Sequence, residues 1–192
     1  MNCEITILKR QPLYYGFSEI TLATSSHASA LPGQYVLLEH IPTYIMWATS
    51  EALSFIVADE IANKEIIKMG PLQGEGLPAP NKVDFNLLIA QDALNATLFY
   101  LKKYRTHFTG LVFIGSDSLF PFKACPSRLL IEDIPPDVIA ALPLLEDWGI
   151  PHRLANAHFI PGCYEGNAED LARQWEKQNP SSIINKIILH SL

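Results

Sequence analysis

Residues 70–80, Gly-Pro-Leu-Gln-Gly-Glu-Gly-Leu-Pro-Ala-Pro, separate two hydrophobic rhythms, and a chain that changes rhythm has two kinds of sheet to build. Before this segment short apolar alternations predict strands at 4–8, 19–23, 34–39, 44–48, 53–58 and 65–68. Short strands separated by turn residues favour a small antiparallel β-barrel or sandwich. After it, strand-like runs at 85–90, 111–114, 128–131, 152–155 and 184–190 alternate with helical patterns at 95–104, 136–148 and 168–178. That alternation predicts a mostly parallel sheet covered by helices. The expected organisation is a β-barrel over residues 1–80 and a mostly parallel α/β domain over residues 81–192.

Of the 192 residues 48% are hydrophobic and 18% charged, so the chain has apolar surface for one large core or two small ones, and disorder is not expected. Lys and Arg number 14 against 20 Asp and Glu, a formal charge of −6 that argues against a nucleic-acid partner. Lys102, Lys103 and Arg105 read as the solvated end of a helix, where cations suit the dipole. Cys3, Cys125 and Cys163 lie far apart and form no C-x-x-C pair, so neither a structural metal site nor an iron-sulfur cluster is expected. His152 and His158 lie near Cys163 in sequence, but a buried, inert thiol is the preferred reading. The N-terminus has no apolar signal region and no run approaches the roughly 18 apolar residues of a membrane span. A reducing cytoplasmic setting is the expectation.

The run Leu88 to Thr97 passes from a strand to a helix without a single glycine. Dinucleotide-binding folds place glycines there so that backbone approaches a pyrophosphate at the helix N-terminus. Asp92 in this turn has two readings, a carboxylate that repels a pyrophosphate or a cap for the following helix. Other chemistry is weakly signalled. Gly115-Ser116-Asp117-Ser118 does not match G-x-S-x-G, and His107, His152 and His158 lack metal-ligand spacing. Glu165, Glu169 and Asp170 surround the start of the last helix, where acids suit the dipole. No residue is assigned a catalytic or metal-binding role.

Several segments, in order along nearly the whole chain, resemble the ferredoxin-NADP reductase superfamily. Leu31-Pro-Gly-Gln-Tyr-Val-Leu-Leu38 resembles the P-G-Q-Y/F-V-x-L strand of its flavin domain. Gly70-Pro71-Leu72-Gln73-Gly74-Glu75-Gly76 resembles the G-P-L-G-x-G segment that closes that domain. Leu88-Ile89-Ala90 is similar to the strand leading into the A-G-G-T-G-I-A-P turn. Pro161 to Leu171 is similar to the G-x-x-G-x-V-T-D-L region of dihydroorotate dehydrogenase electron-transfer subunits.

The resemblance implies flavin-dependent electron transfer, in which protein groups hold and tune the cofactor. It implies FAD or FMN as the cofactor, bound by Tyr44, Ile45, Gly70, Pro71, Leu72 and Gly74. Pro42-Thr43-Tyr44-Ile45 is the best match to the family's R-x-Y-S motif and lacks its Arg and Ser. The missing guanidinium removes charge-assisted hydrogen bonds of roughly 1.5–3 kcal/mol each. Tyr44 and Trp47 are read either as flavin-stacking residues or as core aromatics. In the nucleotide turn the three family glycines are replaced by Gln91, Asp92 and Leu94, and the proline by Thr97, so NAD(P) binding in the usual pose is not expected. Residues 187–192 are similar to the strand that carries the family's terminal C-G-P motif, without that motif or a cluster-binding segment. Two functions follow, a flavin-dependent reductase-like protein or a non-catalytic derivative serving as a binding or assembly module. Both predict a protein partner or a second copy, with contact expected at 187–192.

Overall fold

The computed structural model describes residues 3–24, 29–82, 84–180 and 184–192. Residues 1–2 and 25–28 of the expected barrel, and 83 and 181–183 of the expected α/β domain, lie outside the described residues. The chain separates into two compact units, Met1–Pro78 with Asn95–Lys103 and Leu192, and Ala79–Leu94 with Tyr104–Ser191.

The first unit contains strands β1 (Cys3–Pro12), β2 (Phe17–Ala23), β3 (Tyr35–Leu38), β4 (Ile41–Tyr44), β5 (Trp47–Ala48), β6 (Ala52–Ala58) and β7 (Ile66–Met69), with a short helix α1 (Asp59–Ala62) after β6. They form one antiparallel sheet in the order β4-β3-β7-β1-β2-β6-β5. Alternation along β2 buries Ser18, Ile20 and Leu22, and Ile20 and Leu22 meet Val36, Leu53, Phe55 and Ile67 in the core.

Only Ile45 and Met46 separate the two outer strands β4 and β5, so the sheet curls until its edges meet. The Ile45 N–H donates to the Gln34 carbonyl at 3.2 Å, and the Met46 N–H to the Ser54 carbonyl at 2.9 Å. Both side chains are buried, which a straight strand does not allow for adjacent residues. The single strand expected at 44–48 is therefore two strands meeting at a corner.

The remaining elements are β8 (Phe85–Gln91), α2 (Leu94–Tyr104), β9 (Gly110–Ser116), β10 (Cys125–Pro126), β11 (Ala140–Ala141), α3 (Pro143–Asp147), β12 (His152–Asn156), β13 (Tyr164–Glu165), α4 (Ala168–Gln178) and β14 (Ile184–Leu189). Five of them form a parallel sheet in the order β13-β12-β9-β8-β14, and β10 pairs with β11. No described helix is long and apolar enough to cross a membrane. Helix α4 begins where the Asn167 side chain accepts the Asp170 N–H at 2.8 Å. Its Ala168, Leu171, Ala172 and Trp175 follow helical spacing onto Leu87, Ile89, Leu111 and Phe113. Most of α2 belongs to the first unit, where Phe99 joins the barrel core. There Asn95 accepts the Ile56 N–H at 3.0 Å and donates to the Ile56 carbonyl at 2.9 Å, beyond the reach of β5.

Two expected elements differ. The helix expected at 136–148 is only α3, because Pro143 forces Leu142 into an extended conformation and the preceding residues pair as β11. The strand expected at 128–131 is irregular. The Arg128 N–H donates to Glu146 Oε2 at 2.8 Å and the Leu129 N–H to Ser127 Oγ at 3.1 Å, so side chains take the donors a ladder would use.

The same region contains a buried acid and a buried histidine. Burial alone would raise the Glu146 carboxyl, but donors from Ser127 and Arg128 and the neighbouring positive groups hold it below the usual carboxylate range. His152 is fully buried, its Nε2 accepting the Leu142 N–H at 2.7 Å, and burial lowers its pKa. The unfolded chain takes up the His152 proton near the ordinary histidine pKa while the folded chain resists it. Stability should therefore fall as pH drops below roughly 6.5, and fall again below the ordinary Glu range as Glu146 protonates. Urea midpoints measured from pH 8 to 3 should show both declines, and His152→Gln should remove the first; a midpoint flat from pH 8 to 5 would contradict this.

Candidate functional site

Two segments of the barrel unit that are distant in sequence lie side by side. Tyr35 and Gln73 exchange backbone hydrogen bonds of 3.1 and 2.9 Å, the Gly70 N–H donates to the Leu37 carbonyl, and the Leu77 N–H to the Pro32 carbonyl. The 31–38 and 70–77 segments thus run together along their length. Gln34 fastens them, its Oε1 accepting the Leu31 N–H at 2.8 Å and its Nε2 donating to the Gly74 carbonyl at 3.1 Å.

Tyr44 stands opposite Tyr35 across the β3/β4 ladder, with ring centroids 6.4 Å apart and ring planes at 84°. Burial, and then the neighbouring Tyr35, raise the Tyr44 phenol above its ordinary pKa, so it remains a neutral hydroxyl. Gly74 has φ +81°, and a Cβ there would stand 3.1 Å from the Tyr35 ring. A side chain at Gly74 would close the space beside that ring.

Of the residues singled out from the sequence, Tyr44 and Gly74 therefore flank Tyr35. Gly70 is buried at the start of the loop, Pro71 is exposed, and Leu72 packs against the barrel core. Ile45 is fully buried and contributes to the barrel corner, with its side chain in the core. Tyr35 and Gln34, the last two residues of the P-G-Q-Y segment, stand with Tyr44 and Gly74. Trp47 carries the Lys102 ammonium 3.8 Å from its ring centroid, so Lys102 is more than a solvated helix end.

The second unit has its own feature at the carboxyl ends of its strands. β8 lies between β9 and β14, the point of reversed strand order where open α/β sheets hold ligands. Asp92 follows β8 with φ +51°, a left-handed conformation that favours glycine and is also open to Asp. It does not cap α2. Its carboxylate accepts Ser116 Oγ at 2.8 Å and the Asp117 N–H at 3.1 Å, tying the end of β8 to the end of β9.

Gln91 crosses the neighbouring strand. Its Oε1 accepts the Ala168 N–H at the start of α4 at 3.1 Å, and its Nε2 donates to Asp117 Oδ1 at 2.8 Å. A Cβ on Gly115 would lie 1.9 Å from that Oε1, so the crossing requires glycine in β9. Asn156 adds donations to the Ser116 and Ser118 carbonyls, and the His158 ring bonds the Asp117 carbonyl at 2.7 Å. Gln91 and Asp92 thus accept the Ala168 and Asp117 N–H groups, two backbone donors at the strand ends.

Cys163 sits in the loop after β12, where burial pushes its thiol up to about 11. It remains protonated near neutral pH, as an inert thiol does. Among the described residues no group of three or more His, Cys, Asp or Glu is placed to hold a metal ion.

No protein-family model and no curated protein matches the chain. Solved structures do. The Amycolatopsis reductase GcoB aligns over 97% of this chain with a TM-score of 0.63 at 12% identity; the chain spans 61% of GcoB. The flavohem-like FAD/NAD-binding domain of Vibrio cholerae nitric oxide dioxygenase aligns over 97% of this chain and 98% of its own length, with a TM-score of 0.59 at 7% identity. An NADH-dependent reduced ferredoxin-NADP oxidoreductase aligns over 96% of this chain and 67% of its own, with a TM-score of 0.58 at 13% identity.

The chain has the ferredoxin reductase-like fold. Within that fold the paired 31–38 and 70–77 segments belong to the barrel, and the turn at Gln91 and Asp92 opens the α/β part.

The Gln91 crossing is testable. Gly115→Ala should lower stability in urea unfolding by about 1–3 kcal/mol through overpacking. The loss should shrink in a Gln91→Ala background, where the displaced amide is absent. Equal losses in both backgrounds would show that the clash lies elsewhere.

Proposed function

We propose that the barrel binds a flavin, FMN or FAD, and that the chain serves flavin-dependent electron transfer without binding a nicotinamide nucleotide itself. The observation that carries this reading is the Tyr35–Tyr44 pair beside Gly74, an aromatic surface next to a space that any side chain at 74 would fill. Tyr44, Gly70, Pro71, Leu72 and Gly74 would hold the cofactor, Ile45 would set the corner that orients Tyr44, and Gln34 would fix the loop against β3. A bound flavin supplies one- and two-electron redox chemistry. The chain's groups bind and orient it.

On the nucleotide side, Asp92 and Gln91 support exclusion of NAD(P)H, because a carboxylate and an amide stand in a turn where the related folds bring backbone to phosphate. Electrons would then come from, and go to, another protein. Pro42 favours a second reading, a scaffold without cofactor that acts as a binding or assembly module, since no guanidinium stands at that position for a pyrophosphate.

Spectroscopy separates the two. The purified chain, mixed with FAD and FMN in turn and freed of excess, should retain flavin absorption and quench flavin fluorescence. Tyr44→Ala should weaken binding roughly tenfold, the loss of one aromatic contact of about 1–1.5 kcal/mol. Failure to retain either flavin would favour the scaffold. Calorimetric titration with NADH and NADPH should show no saturable heat, and micromolar affinity for either would overturn the nucleotide part alone.

A further inference from the structure

The second unit has a cavity of about 320 Å³ between the 135–138 segment and the 159–165 loop, which continues from His158 of the strand-end network. Its lining combines Ile160 and Pro161 with Phe159 and Tyr164, and Asp137 and Glu165 belong to the same lining, whereas the Val138 side chain is buried in the core. Among the described residues no Lys, Arg or His lines it. Arg153 is the nearby buried cation, and it directs its donors to the carbonyls of Val138, His152 and Leu129.

The loop is held in place. The Gly162 carbonyl accepts both the Ile139 and the Ala140 N–H, at 2.9 and 2.7 Å, the Cys163 N–H donates to the Ile160 carbonyl, and the His158 N–H donates to Asn156 Oδ1. On this anchored loop Phe159 has φ +54° and is 73% exposed.

We infer that this cavity is a binding site for an organic cation, a guanidinium or ammonium head on a short aliphatic stem, with the head against Phe159, Tyr164, Asp137 and Glu165. Aromatic faces attract cations, carboxylates add charge, and Ile160 and Pro161 offer apolar surface to the stem. The volume lies at the small end of ligand pockets, too small for a dinucleotide, and two carboxylates disfavour any phosphate. The head can belong to a free alkylguanidine or to an arginine side chain of another protein. The inference is independent of flavin binding, which concerns the barrel unit.

Backbone amide NMR of the full chain tests it, with agmatine, a short arginine-containing peptide, and the uncharged analogue N-butylurea as probes. Agmatine or the peptide should shift amides at 135–138 and 159–165 saturably, and N-butylurea should not. The stronger of the two cationic probes identifies the source. Phe159→Leu should weaken binding about fivefold and Asp137→Asn with Glu165→Gln roughly tenfold. All three side chains are exposed, and unchanged shifts elsewhere verify the fold. Absence of saturable shifts with millimolar probe, equal response to N-butylurea, or unaltered affinity in the variants would each overturn the assignment.

Discussion

Backbone polar groups that leave a ladder or a helix inside a protein need partners, and this chain supplies them with amide and carboxylate side chains at several junctions between distant segments. Gln34 fastens the loop at Gly74, Asn95 completes β6 beyond the end of β5, and Gln91 reaches across Gly115 to the first turn of α4. At the amino end of the parallel sheet Asn86, fully buried, donates to the carbonyls of Asn81 and Thr109 and accepts from the Asn81 N–H. Each contact joins segments that hydrophobic packing alone would leave free to slide.

The strand-end network places such satisfaction at the carboxyl ends of the parallel sheet. A helix N-terminus beside a parallel sheet is a ready anion site because its N–H groups are unpaired. Here an amide oxygen occupies the Ala168 N–H and the Asp92 carboxylate occupies the Asp117 N–H. A carboxylate and a side-chain amide oxygen therefore occupy two backbone donors at this end of the sheet. Asp92 holds a left-handed backbone without being glycine. Geometry suited to a ligand and occupancy by the protein's own side chains therefore coexist at one turn.

In the barrel the relation is reversed. The corner at Ile45 and Met46 closes the sheet and leaves Tyr44 opposite Tyr35, and the loop at 70–77 adds glycine where a side chain would close the space. Apolar burial at the corner does the structural work on one side. Aromatic surface remains on the other.

The division into an antiparallel and a parallel half was readable from periodicity, since period-2 alternation and strand-helix alternation depend on neighbours in the chain. Helix α4 was equally local, with its Asn167 cap and apolar spacing. The resemblance of 31–38 and 70–76 to flavin-domain motifs also pointed to two segments that the fold pairs directly. Tertiary structure decided the rest. The corner in the 44–48 run arises because its two halves pair with strands on opposite edges of the sheet, and Ala140 and Ala141 became a strand because Cys125 and Pro126 lie beside them. Asp92 bonds Ser116 instead of capping α2, and Gln91 finds a partner 77 residues away, because these side chains answer to groups that only folding brings near. Local pattern determines which residues are buried, whereas the partner of a polar side chain depends on contacts between distant segments.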